Sequence, residues 1–194
     1  MKKSIGFKKI KIAVFISGTG SNLKNLINHS FKQNSRYIIK LIISNESKAK
    51  GLIYAKKFKI QKQFFDHSDN KLCENKILKK LKKNKIELIC LAGFMKILST
   101  NFIKSFNGKI LNIHPSLLPR YKGLNTHQRV INNKEKYSGC TVHYVNSKLD
   151  SGKIILQKKV RVLKNDSVKS LSRRVLKQEH ILFPKALNKV LSNF

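Results

Sequence analysis

Short apolar runs alternate along this chain with longer, lysine-rich amphipathic segments, and this alternation constrains its fold more than any other feature. Four runs have the length and apolar character of buried strands: residues 11–17, 37–44, 88–93 and 109–114. Apolar residues recur at helical spacing in three segments between them: residues 22–31, 49–58 and 69–84. Strands that alternate with helices predict an α/β fold with a mostly parallel, Rossmann-like sheet.

The pattern changes after residue 137. Two further strands are predicted at residues 139–145 and 153–162, joined by a tight turn, and they indicate an antiparallel C-terminal extension of the sheet. A long terminal helix is expected to begin after Ser167, a favourable N-cap, with a kink or break at Pro184. The 194 residues suffice for one hydrophobic core, so we expect a single three-layer domain over residues 1–194.

The chain is strongly basic, with 42 Lys and Arg residues against nine Asp and Glu residues and a net charge of +33. Such a charge favours nucleic-acid binding as a first hypothesis. However, only six of the 42 are Arg, the residue that most often reads bases, and the Lys residues spread over nearly every predicted surface. We therefore interpret the charge as a compositional bias and expect no specific nucleic-acid partner, although it would attract anionic ligands.

The sequence indicates neither a membrane protein nor an oxidising compartment. No apolar run approaches the roughly 18 residues of a membrane span. The basic start followed by "IAVFIS" is similar to a signal peptide, but the run is too short and no cleavage site follows, so we expect a cytoplasmic protein. Cys73, Cys90 and Cys140 lack zinc or disulfide spacing and are expected to be buried free thiols.

The segment "SGTGSNL" follows the first strand and precedes a helix. A glycine-rich turn lets backbone N–H groups approach a ligand, and the start of a helix favours an anion. The third glycine of a dinucleotide fingerprint is replaced by Leu23, so that motif is excluded. Two interpretations stay open: a phosphate cradle formed by Gly20, Ser21 and Asn22, or a tight turn with Ser21 or Asn22 as N-cap.

Asn112 and His114 lie two residues apart at the end of a predicted strand, so their side chains point the same way. The carboxyl ends of strands in an open α/β sheet are where ligand crevices form. Pro115 would end the strand, and Pro119 would stiffen the loop that follows. The alternative is a core histidine satisfied by the backbone, but the neighbouring Asn favours a functional site.

Asp150 lies in a predicted turn and is the most plausible acidic partner for His114 in a chain with so few acids. An ionised Asp beside an imidazole favours its charged form and fixes its orientation. No nucleophilic Ser or Cys motif and no metal-ligand spacing is present, so Asn, His and Asp together suggest direct group transfer between two bound substrates. His127 is expected near a helix start, and His143 either faces the cleft or is simply buried.

The chain resembles the glycinamide ribonucleotide formyltransferases, folate-dependent enzymes of purine synthesis. Five motifs carry the resemblance, in the family's order and over nearly the whole chain: "ISGTGSNL", "LAGFMKIL", "NIHPSLLPRYKGLNTHQ", "GCTVHYV…LDSGKIILQ" and "QEH". The resemblance implies transfer of the formyl group of 10-formyltetrahydrofolate to the amine of 5-phosphoribosylglycinamide. It implies folate as a co-substrate, small-molecule partners and no metal.

The resemblance also implies a role for particular residues. The catalytic set would be Asn112, His114 and Asp150. The ribonucleotide would bind through Gly20, Ser21 and Asn22 at its phosphate and near Glu179 at its ribose. The folate pocket would be lined by Met95, Lys96, Ile97, Leu98 and Asn112.

The sequence departs from the family's pattern at two positions. Lys96 stands where the family usually has Arg. Asn70, followed by Lys71, falls where an upstream Arg of the family contacts folate.

The sequence has features in common with three other classes of protein. Formyltetrahydrofolate hydrolases resemble the same catalytic set but normally carry an added N-terminal domain. Methionyl-tRNA formyltransferases share "HPSLLPR" but normally carry an added C-terminal domain. The chain has little sequence before its first strand or after its terminal helix, so we expect neither. The third, an inactive basic nucleic-acid-binding module, is disfavoured by the intact Asn, His and Asp.

Overall fold

Seven strands and six helices follow one another in a computed structural model that describes residues 8–66 and 70–192. The strands are β1 (Ile10–Ile16), β2 (Tyr37–Ser44), β3 (Gln61–Phe64), β4 (Leu88–Leu91), β5 (Lys109–His114), β6 (Tyr137–Tyr144) and β7 (Ile154–Arg161). The helices are α1 (Ser21–Ser30), α2 (Leu52–Lys57), α3 (Asn70–Lys83), α4 (Thr100–Ser105), α5 (Thr126–Asn132) and α6 (Val168–Leu191).

The strands form one sheet in the order β3-β2-β1-β4-β5-β6-β7. Every pairing from β3 to β5 is parallel, whereas β6 and β7 are added in antiparallel orientation. The predicted α/β fold, with its parallel sheet, antiparallel extension and long terminal helix, is confirmed. From β1 the chain adds β2 and β3 on one side and then returns to add β4 and β5 on the other side. An open α/β sheet forms a crevice at its carboxyl edge at such a switch point, here between β1 and β4.

Two hydrophobic clusters lie on opposite faces of the sheet and make the fold three-layered. One cluster joins the sheet to α1, α2, α5 and α6, and the other joins it to α3 and α4. Neighbouring strand residues alternate between them, so that Val14 packs in the first and Phe15 in the second. This explains why the central strands read as continuous apolar runs.

All three cysteines are buried and free, as expected. Burial raises the pKa of the Cys140 thiol to about 12, so this group is a neutral core residue at physiological pH. Within the described residues, no helix combines the length and the apolar character needed to cross a bilayer.

The terminal helix α6 begins as predicted but does not break at Pro184. Ser167 is its N-cap, and its side chain accepts a hydrogen bond from the N–H of Ser170. Proline lacks the N–H that would bond the carbonyl of His180, four residues earlier. The side-chain amide of Asn25, on α1, donates to that carbonyl instead. A contact from another helix therefore replaces the missing bond, and the expected break was wrong.

The turn that precedes α1 depends on Gly20. Gly20, rather than Ser21 or Asn22, is the N-cap of this helix, and it has a φ of 70° in the left-handed region. A Cβ atom at this position would lie 2.7 Å from the Cα of Gly51. The two glycines therefore let the β1–α1 turn lie directly against the segment that precedes α2.

We predict that Gly20→Ala lowers the free energy of unfolding by at least about 1–2 kcal/mol, because a Cβ atom is disfavoured in the left-handed region and would also collide with Gly51. Gly18→Ala is the matched control, since a Cβ atom there would meet nothing within 4 Å. Urea unfolding of the two variants and the parent measures the difference. Equal loss in both variants would contradict this account of the turn.

Candidate active site

A cavity of about 1070 Å³ opens at the carboxyl edge of the sheet, beside the ends of β1, β4 and β5. The structure brings together there all the residues that the sequence analysis nominated. Those that line the cavity are Gly20, Ser21, Asn22, Met95, Lys96, Ile97, Leu98, Asn112, His114, Asp150 and Glu179. Segments far apart in the chain thus meet at one site.

The polar centre of the cavity is the carboxylate of Asp150. This residue has a left-handed backbone with a φ of 46°, a conformation that Asp tolerates better than most residues. Its Oδ2 accepts a hydrogen bond of 2.8 Å from the N–H of Gly123 and lies 3.4 Å from Nδ1 of His114. Its Oδ1 lies 3.5 Å from Nδ2 of Asn112 and 3.7 Å from Nε2 of His143.

His114 ends β5 with both ring nitrogens facing hydrogen-bond acceptors. Its Nε2 is 2.8 Å from the backbone carbonyl of Tyr121, which can only accept, so Nε2 carries a proton. Its Nδ1 faces the Asp150 carboxylate. This arrangement suits the imidazolium form, in which both nitrogens donate.

The Tyr121 carbonyl is held in place by contacts of its own side chain. Tyr121 has a left-handed φ of 56°. Its hydroxyl donates to Glu135 Oε1 at 2.7 Å and accepts from Asn133 Nδ2 at 3.0 Å. The loop between β5 and α5 therefore keeps its carbonyl against the ring of His114.

Two further histidines border the same centre. His143 is buried on β6, directly opposite Asn112, and its burial lowers its pKa. His127 lies in the first turn of α5, as expected, and its pKa is lowered by burial and then by the charge of His114. The lowered pKa values favour the neutral form of both rings at physiological pH.

The start of α1 forms a second polar region of the cavity. The first N–H groups of a helix have no partner within it, and they lie here at Ser21 and Asn22. Asn22 Nδ2 donates to Glu179 Oε2 at 2.7 Å, and burial raises the pKa of this carboxyl group. The arrangement offers unpaired donors to an anion beside a carboxyl group that can accept from hydroxyls.

The third region of the cavity is apolar. Met95 and Ile97 are 65% and 74% exposed, whereas Leu98 is buried. The N–H of Met95 donates to Ser17 Oγ at 2.7 Å, and Glu74 accepts from the N–H of Ser99, so both ends of this loop are anchored. Such a rim suits an apolar part of a ligand.

Several further groups line the site or contact its polar centre, and the sequence did not predict them. Tyr121 and Gly123 act through backbone atoms, for which residue type gives no signal. Lys148 and Arg173 add positive charge to the lining. Lys148 could have been predicted from its place two residues before Asp150, and Arg173 from its place on α6. No set of three His, Cys, Asp or Glu side chains in the described part of the chain could hold a metal ion.

Asn70, one of the two positions at which the sequence departs from the folate-dependent pattern, is the first residue of α3. Its side chain lies outside what the structure describes. Lys71, beside it, is exposed on the same helix.

The family model described as Formyl transferase matches residues 10–187 of the chain. The phosphoribosylglycinamide formyltransferase of Haemophilus influenzae is 43% identical over 177 residues, which are 90% of this chain and 84% of that protein. The trifunctional purine biosynthetic protein adenosine-3 of Gallus gallus is 46% identical over 95% of this chain. The chain spans only 19% of the length of that larger relative.

Solved structures show the same similarity. The phosphoribosylglycinamide formyltransferase of Brucella melitensis superposes with a TM-score of 0.90 at 42% identity, covering 95% of this chain and 96% of that one. Glycinamide ribonucleotide transformylase 1 of Symbiobacterium toebii gives a TM-score of 0.92 at 33% identity, covering 95% and 89%.

We predict that Glu179→Gln raises the free energy of unfolding at pH 7 more than at pH 4. Burial raises the pKa of Glu179 above 4.5, so its carboxyl group ionises less readily in the folded chain than in the unfolded chain. The free energy of unfolding is therefore higher at low pH and falls as the pH rises through the raised pKa. Gln stays neutral and can still accept from Asn22. Urea unfolding of both chains at the two pH values measures the effect.

Glu135→Gln is the control for that experiment. The hydrogen bonds from Tyr121 and Arg120 lower the pKa of Glu135, so its ionised form stabilises the fold. Removing it should therefore reduce stability at pH 7 more than at pH 4. A Glu179→Gln effect of the same sign as this control would contradict the prediction.

Proposed function

Since this chain belongs to the formyl transferase family, we propose that it transfers the formyl group of 10-formyltetrahydrofolate to the amine of 5-phosphoribosylglycinamide, a step of purine synthesis that leads to IMP. The observation that carries the proposal is the convergence of Asn112, His114 and Asp150 in one cavity, with side-chain separations of 3.4–3.5 Å between Asp150 and the other two. No further candidate function is favoured by an observation of the site.

Formyl transfer needs hydrogen-bond donors that stabilise the negative charge developing on the formyl oxygen. The amine attacks the formyl carbon, and the carbonyl oxygen becomes an oxyanion in a tetrahedral intermediate. Asn112 Nδ2 and the protonated His114 donate hydrogen bonds to it. The oxyanion offers Nε2 of His114 a charged acceptor, which is a stronger partner than the neutral Tyr121 carbonyl.

Collapse of the intermediate completes the transfer. The bond between the formyl carbon and N10 of the folate breaks, its electron pair goes to N10, and N10 takes up a proton. The attacking amine, which has formed its own bond to carbon, loses a proton. His114 passes protons between these nitrogens through water, while Asp150 favours the charged form of His114 and holds its ring in orientation.

The other two regions of the cavity bind the substrates. The N–H groups of Gly20, Ser21 and Asn22 hold the ribonucleotide phosphate, and Glu179 accepts from a ribose hydroxyl. The segment of Met95, Lys96, Ile97 and Leu98, together with Asn112, binds the folate. The proposal assigns no metal, places the enzyme in the cytoplasm and gives it neither a specific nucleic-acid partner nor a membrane partner.

The test of the function is consumption of 10-formyltetrahydrofolate by the purified chain under three conditions: alone, with glycinamide ribonucleotide, and with charged initiator tRNA. We expect turnover only with the ribonucleotide. Turnover without an acceptor would indicate a hydrolase, and turnover with tRNA would indicate a tRNA formyltransferase; either would overturn the proposal.

We predict that Asp150→Asn lowers kcat by about 10²-fold or more while the KM for the ribonucleotide changes by less than about threefold, because Asp150 acts through His114 on charge that develops in the transition state. Steady-state kinetics measure both constants. Asp166→Asn is the matched control, since Asp166 pairs with Arg174 instead of with a histidine. Parallel losses of binding and kcat in Asp150→Asn would contradict the role.

We predict that nucleic-acid binding by the basic surface is largely lost at about 0.15 M salt, where the Debye length is about 8 Å, whereas formyl transfer persists. The phosphate contacts of the site are short and directed, so salt screens them less than it screens surface charge. A salt titration of both activities on one preparation makes the comparison. Sequence-selective nucleic-acid binding that persists at physiological salt, in a chain that does not transfer formyl groups, would contradict the prediction. It would show that the basic surface has a function of its own.

A further inference from the structure

The second histidine of the site makes contacts that the proposed mechanism does not use. His143 is 2% exposed and lies opposite Asn112 in the antiparallel pair of β5 and β6. We propose that His143 is a positioning residue, which in its neutral Nδ1–H form holds the Asn112 amide with its nitrogen toward the reacting carbonyl. The inference rests on the proposed formyl transfer and assigns a further residue to that site.

The hydrogen-bond partners of His143 determine which nitrogen carries the proton. Nδ1 lies 2.8 Å from the backbone carbonyl of Tyr144, which accepts only, so Nδ1 is the protonated nitrogen. Nε2 then has a lone pair and no hydrogen in the neutral ring. It lies 3.2 Å from Nδ2 of Asn112, which can only donate.

This contact settles the orientation of Asn112. An amide side chain can exchange its oxygen and nitrogen by rotating half a turn, and its shape hardly changes. The bare Nε2 of His143 accepts one hydrogen of Asn112 Nδ2, so the nitrogen faces inward. The second hydrogen points toward Asp150 Oδ1 at the longer distance of 3.5 Å.

The two bonds of the amide have different roles in the reaction. The longer one, to Asp150, is at the limit of hydrogen-bond distance, so it is the bond that a developing oxyanion can replace. The bond to His143 is not needed for chemistry and can persist throughout. His143 therefore keeps Asn112 oriented while its other hydrogen changes partner.

The neutral state of His143 is a requirement of this arrangement. A protonated ring would set an Nε2–H against the Asn112 N–H groups and favour rotation of the amide, which would turn its oxygen toward the oxyanion. Burial lowers the pKa of His143 and His114 acts in the same direction, whereas the Tyr144 carbonyl and the Asp150 carboxylate oppose them. On balance the pKa of His143 is lowered, which favours the neutral ring at pH 7.

The tautomer is tested without any activity measurement. Long-range ¹H–¹⁵N correlation of the histidine rings in the intact chain should show His143 with a protonated Nδ1 and a bare Nε2 at pH 7, and His143→Gln identifies its signals. An Nε2–H tautomer or a doubly protonated ring at pH 7 would overturn the proposal.

Kinetics test the action through Asn112. We expect His143→Leu to lower kcat by about 10-fold to 10²-fold with the KM for the ribonucleotide within about threefold, since only transition-state stabilisation is lost. His143→Gln, whose side-chain oxygen can accept from Asn112, should recover most of the loss. Val142→Ala, a neighbouring change in the core cluster on β6, controls for destabilisation of the strand and should leave kcat unchanged.

The double variant separates positioning from general support of the fold. In an Asn112→Ala background, His143→Leu should cost less than about twofold in kcat, because no amide remains to be oriented. An undiminished cost in that background would overturn the proposal. If His143→Leu does not fold, His143→Gln and the tautomer decide the question. A parent chain without formyl transfer would overturn the proposed function, whereas an active parent with unchanged His143→Leu would overturn only this inference.

Discussion

A buried carboxylate is the constraint on which the rest of the site depends. Removing an ionised group from water costs several kcal/mol unless partners replace its hydration. Asp150 meets that requirement with the N–H of Gly123 and with the side chains of His114 and Asn112. These partners come from β5 and from the loop before α5, so the end of β5, that loop and the turn that carries Asp150 must converge on one point.

The sequence predicted the main frame of the fold because burial leaves a clear signal there. The central strands are covered on both faces and appear as continuous apolar runs. Strand β3 was missed because its residues, "QKQF", lie at the sheet edge and are mostly exposed. Helix α4 was not predicted, and α5 was indicated only by the helix start expected near His127. The continuity of α6 through Pro184 depends on Asn25 of another helix, which no local pattern shows.

Within the site, residue type and position in the sequence were enough to predict which side chains lie together. Asn112, His114 and Asp150 were nominated by residue type and position, and the structure gathers them in one cavity. The sequence could not identify the backbone carbonyls of Tyr121 and Tyr144, which fix the proton positions on His114 and His143. Any residue type supplies the same carbonyl, so these contacts follow only from the path of the backbone.

The two helices that border the proposed phosphate site, α1 and α6, are joined at two points. Asn22 and Asn25, one turn apart on α1, bond to Glu179 and to the carbonyl of His180 on α6. Two attachments fix both the separation of the helices and their relative rotation, so the helix start and the Glu179 carboxyl group stand at a set spacing. If the start of α1 binds the phosphate and Glu179 binds a hydroxyl, as proposed, this spacing selects a ligand by the distance between those two groups. A phosphorylated ligand with a different distance between its phosphate and its hydroxyl would lose one of the two contacts.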